Sequence, residues 1–243
     1  MNVIKNTLFI FLIAFPLSIQ GEIYAVLVGI SEYASGNNLT YCHRDAIEMH
    51  AMLKDYTSPD KILLLINQQA KHNNIVYYTR QLFQQAKPED IVIFFFSGHG
   101  NKNIFFTYDR PFSFSTLQSI FKQTKAKRKL IFADACFAGT LRQSGSQAAA
   151  SQSNVGNNVL LFLSTRSNQH ARENNTLQNG IFTYFLLDGL RGGADVNKDS
   201  YITAKELFNF VYPKVKARTG DMQNPVMWGK FDENMIILKL KNK

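Results

Sequence analysis

The sequence predicts a single α/β domain built around a mostly parallel β-sheet with helices on both faces. Three observations predict this fold class. The chain has 243 residues, 45% of them are hydrophobic, and short unbroken apolar runs alternate with helical patterns. Unbroken apolar runs are typical of strands that are covered on both faces. A chain of this length can bury a large core without disulfides.

The apolar runs predict six strands, and helical spacing of apolar residues predicts helices between most of them. The strands are predicted at 23–30, 62–66, 91–96, 130–133, 159–163 and 235–240. The helix faces are Ala46, Met49 and Leu53; Ile75, Tyr78 and Leu82; Leu117, Ile120 and Phe121; Ile181, Tyr184 and Phe185; and Leu207, Phe208 and Val211. The segment 223–228 is predicted as a loop before the last strand.

The N-terminus has the pattern of a secretory signal peptide. Lys5 precedes an apolar stretch at 7–19, and polar residues follow it. This stretch is shorter than the ~20 residues of a membrane span. We therefore predict a signal peptide at 1–21 and a secreted or periplasmic mature chain with no stable membrane span. An uncleaved anchor is the alternative.

Charge and composition narrow the class of protein. The chain carries 27 Lys and Arg against 18 Asp and Glu, a net charge of +9. The basic residues are scattered rather than clustered, so we predict no nucleic-acid partner. An aromatic content of 13% excludes a disordered chain.

One long segment, 141–158, is rich in Ser, Gln, Asn, Ala and Gly and has almost no core residues. It predicts a flexible linker loop. The linker divides the predicted domain, 22–243, into a larger part at 22–140 and a smaller part at 159–243.

Two predicted strand ends carry residues with chemistry. The strand at 91–96 is followed by His99 and Gly100, and the strand at 130–133 is followed by Cys136. The carboxyl ends of parallel strands meet at one edge of a sheet, where functional loops gather. A nearby base can activate a thiol nucleophile, and glycine N–H groups can bind an oxyanion. We therefore predict a dyad of His99 and Cys136, with an oxyanion hole formed by the N–H groups of Gly100 and Cys136.

Each of these residues also has an ordinary structural interpretation. A histidine after a strand can be a satisfied loop residue, and a cysteine can be a small buried hydrophobe. Cys42 is the only other cysteine, and because Cys136 is expected to act as a thiol we predict no disulfide.

Four sequence blocks resemble the caspase and metacaspase group of cysteine peptidases, most closely its bacterial members. They are Ser97-Gly98-His99-Gly100; Asp134-Ala135-Cys136-Phe137-Ala138-Gly139; Leu39, Cys42, Asp45, Ala46, Met49 and Leu53; and 164–169 with Ala171 and Glu173. The resemblance implies a three-layer caspase-haemoglobinase fold. The parts at 22–140 and 159–243 would correspond to the large and small subunits of that family.

The resemblance also implies a substrate-binding set. Asp45 and Asp134 match acids that line a pocket for Arg or Lys before the scissile bond, and Ser164 and Asn168 match the groove. Asp45 could instead be a helix N-cap, and Asp134 an acceptor that orders a loop. Arg44 stands where metacaspases usually carry Asn, and its charge would oppose an acidic pocket.

A second motif lies at 195–206, between two predicted helices. Side-chain oxygens of Asp195, Asn197, Asp199, Thr203 and Glu206 and the carbonyl of Tyr201 match the ligand positions of an EF-hand loop. Ser200 stands where the loop usually has Gly. We predict Ca²⁺ as a possible cofactor. The alternative is a helix N-cap in which Thr203 and Glu206 form a capping box.

Together these features predict an exported cysteine endopeptidase that acts on peptides or proteins, with cleavage after Arg or Lys. Two alternatives remain open. One is a peptide ligase or transpeptidase that uses the same dyad, and the other is a catalytically silent caspase-like binding module.

Overall fold

The structure is a computed structural model that describes residues 21–101, 103–136, 159–164, 173–174 and 176–241. Residues 1–20 of the predicted signal peptide and the whole predicted linker at 141–158 lie outside the described residues. Within the described part of the chain, no helix combines the length and the hydropathy needed to cross a bilayer.

Longer strands form at the predicted apolar runs, and shorter strands lie between them along the chain. They are β1 (Ile23–Gly29), β2 (Ile62–Ile66), β3 (Ile91–Ser97), β4 (Gly100–Asn101), β5 (Ile104–Phe106), β6 (Pro111–Ser113), β7 (Arg128–Asp134), β8 (Val159–Leu163), β9 (Glu173–Asn174), β10 (Asn179–Gly180), β11 (Tyr201–Thr203), β12 (Val226–Trp228) and β13 (Ile236–Lys239). The helices are α1 (Cys42–Leu53), α2 (His72–Gln84), α3 (Phe114–Gln123), α4 (Ile181–Asp188) and α5 (Ala204–Arg218).

A six-stranded sheet forms the centre of the domain. Its strand order is β12-β8-β7-β3-β1-β2. The strands β8, β7, β3, β1 and β2 are parallel to their neighbours, and β12 is antiparallel to β8. The sheet is therefore mostly parallel, as predicted.

Helices cover both faces of this sheet, which gives three layers. Alternate side chains of β3 point to opposite faces, so that Phe95 joins one core cluster while Phe94 and Phe96 join the other. The first cluster contains buried residues of α1, α4 and α5, and the second contains those of α2 and α3. Burial on both faces explains why these strands are unbroken apolar runs.

Two predictions about the end of the chain were wrong. The apolar run at 235–240 does form a strand, β13, but β13 pairs antiparallel with β11 outside the central sheet. The sixth strand of the central sheet is instead β12, within the segment that was predicted as a loop. Its three residues are apolar but only half-buried, and a run of three is too short to predict a strand.

Candidate active site

The segments that follow β3 and β7 lie side by side. In the register of these strands Ser97 is opposite Asp134, and the N–H of Gly98 donates to the carbonyl of Asp134 at 3.2 Å. A Cβ atom placed on Gly100 would lie 2.7 Å from the carbonyl oxygen of Cys136. The close approach requires glycine, and it brings the predicted His99 and Cys136 segments into contact.

The imidazole of His99 has a defined partner. Its Nε2 lies 3.0 Å from the backbone carbonyl oxygen of Asn37. A carbonyl oxygen can only accept, so Nε2 carries the proton and Nδ1 is the basic atom of the neutral ring. Sequence reasoning missed Asn37, because a backbone carbonyl can come from any residue type.

Tyr33 holds the same histidine from a second direction. Its hydroxyl oxygen accepts a hydrogen bond from the backbone N–H of His99 at 2.7 Å. The two rings lie 4.8 Å apart between centroids at 40°. Tyr33 is itself buried, so it is a fixed support for the His99 backbone and ring. Sequence reasoning also missed this residue.

The β4–β5 ladder leaves the N–H of Gly100 available for a ligand. Gly100 is opposite Phe105, and the N–H of Phe106 donates to the carbonyl of His99 at 2.9 Å. This alternation makes Gly100 and Phe105 a non-hydrogen-bonded pair of the antiparallel ladder. The N–H of Gly100 is therefore not used by the ladder, as an oxyanion donor requires.

The two cysteines are separate thiols. Cys42 is buried at the start of α1, Cys136 is half-buried after β7, and neither is in a disulfide. Beneath the Cys136 segment, the hydroxyl of Ser164 accepts from the N–H of Ala135 at 3.2 Å and lies 3.3 Å from its carbonyl oxygen. Ser164 is fully buried, so it supports the residue before Cys136. Asn168, the other predicted groove residue, lies outside the described residues.

Asp45 is buried inside the first turn of α1. The helix begins at Cys42 after the N-cap Tyr41, so the N-cap alternative for Asp45 was wrong. The Asp45 carboxylate instead accepts from the hydroxyl of Ser97 at 2.7 Å. It also accepts from the side-chain amide of Asn179 and the N–H of Gly180, both at 3.0 Å.

Asp134 is the second buried carboxylate of this pair. One of its oxygens accepts from the N–H and the hydroxyl of Thr183, at 3.1 and 2.8 Å, in the first turn of α4. A Cβ atom placed on Gly180 would lie 2.2 Å from Asp134 Oδ2 and 3.0 Å from Asp45 Oδ2. Gly180 therefore separates the two carboxylates, and only a residue without a side chain fits between them.

The environment of the pair favours a protonated carboxyl group. Burial raises the pKa of Asp45 well above its ordinary value, and the neighbouring Asp134 carboxyl raises it further. Hydrogen bonds from Ser97, Asn179 and Gly180 act in the opposite direction. Two carboxylates this close and this buried do not both ionise readily.

The 195–206 loop has the backbone conformation expected of an EF-hand loop, and it also has the hydrogen bonds of a helix N-cap. Ser200 has a φ of 66°, the left-handed conformation that the usual Gly would supply. Thr203 caps α5: its hydroxyl accepts from the N–H of Glu206 at 3.2 Å, and the Glu206 carboxylate accepts from the N–H of Thr203 at 3.0 Å. The side chains of the loop offer oxygen ligands, the type that a hard cation such as Ca²⁺ prefers. Within the described ranges, however, no three His, Cys, Asp or Glu side chains are gathered as metal ligands.

Comparison with known proteins adds independent findings. The model of the Caspase domain family matches residues 23–235. Metacaspase-2 of Arabidopsis thaliana is 32% identical over 97 residues, which are 37% of this chain and 23% of that protein. Metacaspase-1 of Plasmodium falciparum is 35% identical over 88 residues, 32% of this chain and 14% of that protein. These matches thus span a quarter or less of the relatives' own length.

A solved structure matches the fold over most of its length. Caspase-1 from Spodoptera frugiperda superposes with a TM-score of 0.71 at 17% sequence identity, covering 92% of each chain. At this level of identity the likeness concerns the three-layer architecture, and it agrees with the fold described above.

Proposed function

The chain belongs to the caspase-domain family of peptidases, and on that premise we propose that it is an exported cysteine endopeptidase with a Cys136–His99 dyad. The observation that carries the proposal is the contact between the two segments. Gly100, next to His99, approaches the backbone of Cys136 so closely that a side chain would not fit. The export half of the proposal is supported by the apolar segment at 7–19.

In the proposed first step, Nδ1 of His99 takes the proton of the Cys136 thiol, and the sulfur attacks the carbonyl carbon of the scissile peptide bond. A C–S bond forms, and the carbonyl oxygen becomes an oxyanion near the N–H groups of Gly100 and Cys136. When the C–N bond breaks, His99 gives its proton to the leaving amine. The remaining product is a thioester on Cys136.

In the second step a water molecule hydrolyses the thioester. Nδ1 of His99 takes a proton from the water, which attacks the thioester carbonyl. The C–S bond breaks, and the proton on Nδ1 returns to the Cys136 sulfur. The Asn37 carbonyl holds the other ring nitrogen throughout, so the same ring atom serves as base and as acid. The support for this division of roles is the single tautomer that the Asn37 contact allows.

The acid pair is proposed to select Arg or Lys before the scissile bond. A guanidinium can satisfy two carboxylates through charge-assisted hydrogen bonds. The positive charge of Arg44 does not oppose this, because Arg44 Nε is bound to Glu48 at 3.1 Å and its guanidinium also contacts Gln178.

A fluorogenic peptide panel tests this function. The peptides differ only in the residue before the cut, which is Arg, Lys, Asp or Asn, and the assay is run with and without Ca²⁺. We expect cleavage after Arg and Lys, and none from Cys136→Ala or His99→Ala. Cleavage after Asp or Asn would retain the dyad and reject the acidic pocket.

A thiol-reactive peptide probe provides a second test, of whether the reactivity of Cys136 depends on His99. Labelling of Cys136 that depends on His99 would support a working dyad. Equal labelling of the wild type and His99→Ala, together with no cleavage, would indicate a binding module instead.

Calcium binding at 195–206 stays a prediction, and no step of the reaction depends on it. The support is the left-handed Ser200 and the oxygen donors of Asp195, Asn197 and Asp199. Calorimetric titration of the wild type and Asp199→Ala with Ca²⁺ tests it. Equal heats from the two proteins would reject the site.

A further inference from the structure

A cavity of about 390 Å³ opens beside His99, against the three-stranded sheet of β4, β5 and β6. Its walls come from the loop after β1 and from the turn between β5 and β6. Three aromatic residues contribute to these walls, namely Tyr33, Phe106 and Tyr108. The cavity reaches the segment proposed to be catalytic, because His99 and Gly100 belong to its lining.

The position of the cavity relative to the dyad indicates what enters it. The lining includes His99 but does not include Cys136, Asp45 or Asp134. The cavity therefore lies beyond His99, away from the acid pair proposed to hold the residue before the cut. His99 is proposed to protonate the leaving amine, so the part of the substrate that follows the scissile bond must pass His99.

The walls are fixed before any substrate arrives. The N–H of Tyr108 donates to the carbonyl of Ala70 at 3.0 Å, and the carbonyl of Tyr108 accepts from the N–H of Ala34 at 3.1 Å. The turn at 107–110 is thus attached both to the loop after β1 and to the segment just before α2. A preformed wall reduces the entropy lost when a ligand binds.

The charged residues of the lining are already engaged with neighbouring groups. The carboxylate of Asp109 accepts from the N–H of His72 at 2.8 Å and from the hydroxyl of Thr107 at 2.9 Å. The guanidinium of Arg110 contacts Asn73 and the ring of His72. These contacts turn both charges towards α2. The rest of the lining combines the three aromatic residues and Pro111 with the uncharged polar residues Ser35, Asn37, Asn101 and Thr107.

We propose that this cavity binds a bulky apolar side chain, aromatic or leucine, from one of the first two residues after the scissile bond. The inference rests on the proposed function, since it needs cleavage to define the two sides of the substrate. It adds a second determinant of specificity, on the leaving-group side, to the acidic pocket on the other side. Aromatic and leucine side chains suit a preformed pocket with aromatic walls because they bury large areas there.

The test uses internally quenched peptides that share one sequence with Arg before the cut. The two positions after Arg are varied one at a time among Ala, Asp, Lys, Leu and Phe. We expect kcat/KM for Leu or Phe at one of the two positions to exceed that of the all-Ala peptide by about tenfold. In Tyr108→Ala this ratio should fall to about twofold or less.

Two further variants sharpen the result. Tyr77→Ala removes an aromatic side chain that is 60% exposed on α2, away from the cavity, and should keep the wild-type ratio. Tyr108→Leu, made in case the alanine variant fails to fold, should keep a preference for Leu and lose part of that for Phe. Cleavage of all peptides at equal rates, or a preference for Asp or Lys, would overturn the inference and leave the proposed function standing. Cleavage of no peptide would overturn both.

Discussion

The hydroxyl oxygen of Tyr33 accepts the backbone N–H of His99 at 2.7 Å, and the two rings are 4.8 Å apart. This contact joins the loop after β1 to the segment after β3. Together with the bond from His99 Nε2 to the Asn37 carbonyl, it fixes both the backbone and the ring of the proposed acid-base residue from one loop. Tyr33 therefore acts as a positioning residue.

Tyr33→Phe should weaken both the fold and the dyad. The variant keeps the ring but leaves the His99 N–H without its acceptor, so we expect the free energy of unfolding to fall by about 1–3 kcal/mol. Because His99 is then less well placed, the pH profile of Cys136 alkylation should also shift, which a purely structural defect would not cause. Tyr24→Phe, at a buried tyrosine at the start of β1, is the control. An unchanged alkylation profile in Tyr33→Phe would contradict the positioning role.

Some of the residues that contact His99 could not be predicted from the sequence. The placement of His99, Gly100 and Cys136 at neighbouring strand ends could be predicted because unbroken apolar runs locate those ends. Tyr33 and Asn37 could not, because their loop has no periodic pattern and one of the contacts uses a backbone carbonyl. Asn179, Gly180 and Thr183 reach the acid pair from a distant part of the chain, and nothing local marks them.

For the fold, the strands could be predicted more accurately than the buried faces of the helices. The strands at 62–66 and 159–163 match their apolar runs residue for residue, although β8 is fully buried and β2 is a partly buried edge strand. On α2, however, Tyr78 was predicted on the buried face and is 44% exposed, while Thr79 is buried. A pattern of apolar residues cannot show that a threonine points to the core and a tyrosine outward.

Gly180→Ala tests the spacing of the acid pair. The new Cβ atom would overlap Asp134 Oδ2, so we expect the free energy of unfolding to fall by about 1–3 kcal/mol, and activity towards an Arg peptide to fall with it. Activity is compared at a temperature at which each variant is folded. Gly220→Ala is the control, because nothing lies within 4 Å of its added Cβ and only its φ of 57° is strained. Wild-type cleavage by Gly180→Ala would show that the pair tolerates displacement.

Asp45→Asn should remove part of the pH dependence of the free energy of unfolding. The pKa of Asp45 is raised in the folded state, so the folded protein binds the proton more strongly than the unfolded chain. Its contribution is therefore complete at low pH and is lost as the pH rises from the ordinary value of about 4 through the raised pKa. Asparagine removes the ionisation and keeps an acceptor oxygen.

The measurement is chemical denaturation of both proteins at about pH 5 and about pH 8. The stability of Asp45→Asn relative to the wild type should increase between these two values, while cleavage after Arg is lost. A relative stability that decreases with pH would mean that Asp45 is ionised and stabilising in the folded protein.

Thr203→Ala separates the capping role of the 195–206 loop from its predicted calcium site. The reciprocal bonds between Thr203 and Glu206 begin α5, so their loss should lower the free energy of unfolding by about 1 kcal/mol without Ca²⁺. Glu206→Gln should lose much less, since the amide oxygen can still accept from the Thr203 N–H. If Ca²⁺ uses the Glu206 carboxylate, the same variant should give no calorimetric heat with Ca²⁺. A loss of stability in Thr203→Ala only when Ca²⁺ is present would instead mean that the metal, and not the cap, organises this loop.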